Sequence, residues 1–171
     1  SIACGEHAGD EATMRDTVAL ALRYGVAIGA HPGFADREHF GRREIGLTPA
    51  QAGDLVRRQI LRLRAFGPVR HVKPHGALYN TIGHHEAHAE AVVRALAELG
   101  DELPILVLPD SEIERQAAAA RLAREEAERK ARETAESNSE AARKAKLEAE
   151  ERAKAAEAAV AAAQAAAEEA R

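Results

Sequence analysis

The chain changes character once along its length. All twelve Gly, all six Pro and all eight His of its 171 residues lie before residue 112. From residue 121 to 171 there is no Gly, Pro, His or aromatic residue, and 20 of those 51 positions are Ala, with 12 Glu against 11 Lys plus Arg. A segment of strong helix formers with no helix breaker is a helix. A segment that holds every Gly and Pro must make the turns. Two kinds of structure are therefore expected, meeting within 111–121: a domain over residues 1–110 and a helical extension over 111–171.

Within the first part, short apolar runs alternate with amphipathic stretches. Residues 1–4 (SIAC), 26–30 (VAIGA), 69–73 and 105–108 (ILVL) read as strands of a parallel sheet. Asp10 is placed to cap a helix over 11–24 with Met14, Val18 and Leu22 on its inner stripe and Gly25 at its end. Thr48-Pro49 opens a second helix, which turns Leu55, Val56, Ile60 and Leu63 inward and stops at Gly67. A third, over 86–99, presents Val92, Val93, Leu96 and Leu99. The expected fold is α/β, a partial parallel β/α barrel of about four βα units. Four strands cannot close a barrel, which leaves a sheet edge open.

In parallel α/β folds, function collects at the carboxyl ends of the strands. The residues just past each strand here are Cys4 to Asp10, His31-Pro32-Gly33, Lys73-Pro74-His75-Gly76 and Asp110-Ser111. His7, His31 and His75 each follow a different strand. Together with Asp10 they are candidates to hold a divalent metal such as Zn²⁺; the bland alternative is imidazoles bonded to loop backbone or to substrate. Lys73, at a strand end, suits a phosphate. Arg42 and Arg43 lie in the long loop 32–47, where a guanidinium suits phosphate or carboxylate and otherwise is a solvated charge. Cys4 reads as a buried filler more readily than as a thiolate activated by His7. His39, His84, His85 and His88 read as peripheral. Neither of the Gly-rich nucleotide-binding motifs occurs.

Composition removes some function classes. The hydrophobic share of 46% is swollen by Ala, and only 3% of residues are aromatic, so the core is small. A net charge of -4 argues against nucleic-acid binding. A single Cys forbids an intrachain disulfide and fits a reducing, cytoplasmic setting. No apolar run is long enough to cross a membrane, and residues 1–10 lack the pattern of a signal peptide.

Four segments resemble the LamB/YcsF family, the A-subunit proteins of 5-oxoprolinase. They are IACGEHAGD (2–10) with Met14, GVAIGAHPGF (25–34), FGRREIGLT (40–48) and HVKPHGALYN (71–80). The likeness is dense over residues 1–120, and the helical segment beyond does not match it. The resemblance implies a β/α barrel of the polysaccharide-deacetylase type. It also implies ATP-dependent opening of 5-oxoproline to L-glutamate in company with B and C subunits. Carried over by motif are His7, Asp10, Lys73 and His75 as catalytic residues, with Cys4, His31, Arg42, Tyr79 and Asn80 binding substrate or phosphate. The family pattern has an acidic Asp-Leu-Asn opening, which this chain begins after, and later strands that it lacks, so activity from this chain alone is not expected. Glu6 stands where the family has Phe, an exchange that would cost on the order of 3 kcal/mol if the charge were buried without a partner.

Over 111–171, Ser111 and Glu114 form a capping-box pattern, and Ser137-Asn138-Ser139 is the expected break. Ala at 153, 156, 163, 167 and 170, with Val160, forms a thin apolar seam. Two other readings stand beside the first. One is a non-catalytic or engineered scaffold whose helical arm or open sheet edge drives self-association. The other is a metal-dependent amide hydrolase of the deacetylase type that needs no ATP.

Overall fold

The computed structural model describes residues 1–100 and 103–169, without the side chains of 165 and 167–169. The described elements are β1 (Ile2–Ala3), α1 (Glu11–Arg23), β2 (Gly29–His31), α2 (Pro49–Arg64), β3 (His71–Val72), α3 (Gly76–His84), α4 (Glu86–Ala97) and α5 (Glu112–Glu169). The chain divides into two compact units, Ser1–Leu122 and Ala123–Arg171.

In the first unit the strands run parallel in the order β1-β2-β3. Ile2 pairs with Ala30 and Ala3 with His31; Gly29 pairs with His71 and Ala30 with Val72. The strands are shorter than their apolar runs. Val26, expected in β2, is instead used by the end of α1. Gly25, at φ 65°, turns the chain so that its N–H bonds Leu22 O and the Val26 N–H bonds Ala21 O, a Schellman closure. The expected fourth strand over 105–108 reduces to one parallel bridge between Val72 and Ile105. Pro104 and Pro109 flank it and withhold ladder donors, and Leu106 and Leu108 are exposed. The described residues show a parallel α/β sheet of three strands plus that bridge, and no closed barrel.

Helix boundaries follow their local chemistry. The Asp10 side chain accepts the Thr13 N–H at 2.8 Å. Thr48 and Gln51 form a reciprocal capping box with Pro49 in the first turn. Met14 and Val18 are buried, but Leu22 is exposed. At about 100° per residue, Leu22 sits roughly 80° round the helix from Met14, and Ala21 packs against the core instead. Leu55, Val56, Ile60 and Leu63 of α2 and Val92 and Leu96 of α4 are buried, as the pattern requires. These helices approach closely: a side chain on Gly53 would come within 2.7 Å of Ala91 O.

α5 opens in the first unit, where Ile113 is buried in the core. The compact first unit accordingly includes the opening of α5, through Leu122. The expected capping box is not formed. The Ser111 hydroxyl donates to Leu108 O, and Glu114 accepts the Asp110 N–H instead. Asp110, in the left-handed region at φ 59°, turns its N–H that way. Nor does the helix break over 137–139. Ser and Asn lower helix propensity by only about 0.5 kcal/mol each relative to Ala, far less than Pro, and the neighbours are strong formers. In the second unit Ala153, Ala156, Val160 and Ala163 are exposed; positions 167 and 170 lie outside the described side chains. No described helix is long and apolar enough to cross a membrane.

Candidate functional site

Three strand ends bring three imidazoles together. His31 closes β2, His7 follows β1 in the loop before α1, and His75 stands between β3 and α3. One ring nitrogen from each lies within 4.8 Å of the other two. The rings of His7 and His75 are stacked, centroids 4.1 Å apart and 9° from parallel. His31 meets His75 edge-on at 4.8 Å.

Main-chain carbonyls orient two of the rings. His31 Nδ1 donates to Lys73 O at 2.5 Å, and His75 Nε2 donates to Phe40 O at 2.7 Å. The two remaining nitrogens, His31 Nε2 and His75 Nδ1, face each other at 3.0 Å. His7 is buried, and its Nδ1 has no hydrogen-bond partner. Burial, then the nearby His75, His31 and Arg37, hold the His7 pKa down to about 4. Burial also lowers that of His31, against the opposing pull of the Lys73 carbonyl. His7 is thus a neutral ring at neutral pH.

The loop 32–47 forms the near wall. Phe40 takes a left-handed φ of 55°, uncommon for a bulky residue. That turn aims its carbonyl at His75 and sets its ring edge-on to His7 at 5.7 Å and to His75 at 5.2 Å. Gly41 follows, and its carbonyl accepts the Ala77 N–H at the start of α3. Asp36 holds the loop from inside. Its carboxylate accepts from His39 Nδ1 at 3.1 Å and from the Arg43 guanidinium at 3.0 Å. Burial alone would raise the Asp36 pKa, but His39 and Arg43 outweigh it and the net shift is downward.

The other residues singled out from sequence take varied places. The Lys73 side chain is exposed at the end of β3, and its contribution to the cluster is its carbonyl. Asp10 lies outside the three-imidazole group, with its carboxylate on the Thr13 N–H, which keeps its pKa low. Cys4 is fully buried, its thiol against Ile2 O at 3.3 Å, and burial pushes its pKa up to about 11. The thiol has no exposed surface, as a packing residue would have none. Arg42 lies over the Phe40 ring at 5.7 Å, on the rim of the cluster, whereas Arg43 is committed to Asp36. Tyr79 is half-buried and Asn80 exposed, both on α3. Glu6 is half-buried beside Arg62 at 3.5 Å, so the penalty expected for an unpaired charge does not arise. His88 donates to Leu47 O and ties α4 to the loop.

Sequence reasoning missed two supports. Arg37 donates to both Gly5 O and Gly9 O and fastens the His7 loop. Gln59, buried on α2, bonds both main-chain groups of Gly33. A buried Gln on an apolar helix face was the available signal for the second.

Comparison with known proteins bears on this arrangement. A family model described as the LamB/YcsF family matches residues 1–170, and so runs through the helix that the sequence motifs leave outside the likeness. The A subunit of 5-oxoprolinase from Brevibacillus brevis is 52% identical over 120 residues, 67% of this chain and 47% of that protein. The same-named protein of Kocuria rhizophila is 47% identical over 127 residues, covering 71% of this chain and 50% of its own length. The crystal structure of a lactam utilization protein from Thermus thermophilus superposes with a TM-score of 0.66 at 42% identity, over 69% of this chain and 50% of that one. The chain spans about half the length of the curated relatives it matches.

Proposed function

The chain belongs to the LamB/YcsF family, and from that premise we propose that it supplies part of the site at which an ATP-dependent 5-oxoprolinase opens 5-oxoproline to L-glutamate. The observation that carries the reading is the meeting of His7, His31 and His75 from three strand ends, in a chain 52% identical over 120 residues to a protein named as the A subunit of 5-oxoprolinase. On this reading the three-stranded sheet is a sector of a β/α barrel. The chain works in the cytoplasm with B and C subunits.

The chemistry explains the need for such residues. A lactam is stabilised by resonance, and its oxygen is a poor leaving group. Transfer of the γ-phosphoryl of ATP to that oxygen releases ADP and opens the ring carbon to water; one water adds there, the carbon–nitrogen bond breaks to the free amine, and the acyl phosphate left behind is hydrolysed by a second water to glutamate and inorganic phosphate. The site must hold a carboxylate and phosphates while moving protons to and from water and nitrogen. Lys73 and Arg42, both on the rim, bind the anionic groups. His75 or His7 moves the proton, and Tyr79 and Asn80 position the substrate.

The test is glutamate release from 5-oxoproline by the full chain with ATP and both partner subunits. Turnover that falls roughly 100-fold in Lys73→Ala and His75→Ala supports the reading. A folded chain that gives no turnover under those conditions overturns it in favour of a non-catalytic scaffold. Turnover that needs metal but not ATP overturns it in favour of a deacetylase-type amide hydrolase.

A further inference from the structure

We propose that His7, His31 and His75 bind one divalent transition-metal ion, with Zn²⁺ the best matched by its chemistry. The proposal does not rest on lactam opening, and it stands or falls by metal binding alone; with an ion bound, His75 has no nitrogen free, so the proton transfer proposed above would belong to the metal-free chain.

Two carbonyl acceptors fix where the ring hydrogens sit. A carbonyl oxygen only accepts, so the nitrogens facing Lys73 O and Phe40 O must each carry the hydrogen. In a neutral imidazole the other nitrogen then holds a lone pair. His31 Nε2 and His75 Nδ1 therefore present lone pairs to one another at 3.0 Å. Two lone pairs at that distance repel unless a positive species lies between or beside them. Ligating histidines commonly have this second feature as well, the far N–H given to a backbone carbonyl, which fixes tautomer and ring orientation.

Distance agrees for this pair. Zinc–nitrogen bonds of about 2.0–2.1 Å at tetrahedral angles put ligand nitrogens on the order of 3.3 Å apart. His7 is the third ligand. Its ring is stacked on His75, and one of its nitrogens lies within 4.8 Å of a nitrogen of each of the other two. As it stands its buried Nδ1 has no partner, and an unpartnered buried nitrogen is costly enough to call for an explanation. A cation bound beside His7 supplies one.

The donor set selects the ion. Three imidazoles without a carboxylate in the group disfavour Mg²⁺ and Ca²⁺, which take oxygen ligands. Three protein nitrogens also leave a fourth zinc position for water or a carbonyl oxygen, as in catalytic rather than structural sites.

The test uses the full chain, without an affinity tag of histidines, stripped with chelator and titrated with Zn²⁺ and separately with Co²⁺. The expected result is saturable uptake of one ion per chain, with the visible bands of tetrahedral Co²⁺ and a raised melting temperature. Nitrogen NMR is expected to show metallation at His31 Nε2 and His75 Nδ1. Affinity is expected to fall roughly 100-fold in His31→Ala and in His75→Gln, each checked for folding by circular dichroism, and to be unchanged in the surface control His85→Ala. Absence of saturable uptake by the folded wild-type chain overturns the proposal. So does uptake that survives in folded His31→Ala, or uptake abolished by His85→Ala. The NMR readout keeps the test decisive if the alanine variants do not fold, since metallation at other nitrogens is equally fatal to it.

Discussion

Gly41 and Gly76 touch at a point where neither neighbour leaves room for a side chain. A Cβ on Gly76 would lie 2.3 Å from Gly41 O, and Gly76 holds a φ of 56°. One residue on, the Ala77 N–H bonds that same oxygen. The loop that carries Phe40 is thereby pinned to the first turn of α3, and His75 is held between them.

Gly76→Ala is accordingly expected to destabilise the first unit by about 2–4 kcal/mol, because the clash is with backbone and the left-handed φ adds strain. Gly83→Ala in the same helix meets nothing within 4 Å and is expected to be neutral or stabilising by up to about 1 kcal/mol. Urea unfolding of both variants decides the matter, and equal effects would contradict the geometry.

Acid should weaken the metal-free protein through His7. Its pKa is about 4 in the fold and about 6.5 unfolded. Between those values the unfolded chain binds the proton and the native chain does not, so stability rises with pH. The stability is complete above about pH 6.5, falls as the pH is lowered toward 4, and loses nothing further to this group below that. His31 acts in the same direction. Urea midpoints in chelator across this range are expected to slope upward with pH, and less steeply in His7→Asn.

Asp36→Ala should loosen the loop 32–47 without directly touching His7, His31 or His75. It strands His39 and the Arg43 guanidinium and removes the acceptor for the Arg43 N–H. The expected result is a melting temperature lower by several degrees and faster amide exchange confined to residues 36–43. Asp36→Asn should keep part of the stability, since an amide still accepts hydrogen bonds.

Shortening the chain separates core from extension. Removal of everything after Leu122 is expected to leave the melting temperature of the first unit within a few degrees of the full chain. Ile113→Ala in the full chain is expected to cost about 2–4 kcal/mol, because Ile113 is 1% exposed. Calorimetry on the two proteins checks both statements.

The sequence made some of this legible and left the rest hidden for physical reasons. Where an end depends on local chemistry, as at Asp10, Gly25 and Thr48-Pro49, the boundary could be read. So could the gathering of His7, His31 and His75, because each follows a different strand in a parallel sheet. α3 could not be read. It opens on Gly76 with no side-chain cap from His75 and carries Gly83 near its end, and its first turn is held by Gly41, far back in the sequence. The part Lys73 plays was hidden for another reason. Its sequence signal is the ammonium group, while the atom that orients His31 is the carbonyl every residue has. The strain at Phe40 has no local signature either, since nothing about Phe favours a left-handed turn.

The depth at which Cys4 lies gives the molecule a built-in gauge of its own integrity. As the sole sulfhydryl, fully enclosed and with its ionisation suppressed, it is shielded from alkylating reagents while the surrounding packing holds. The speed of its labelling by iodoacetamide therefore measures how often the centre of the first unit opens, with no introduced probe and no dependence on catalysis.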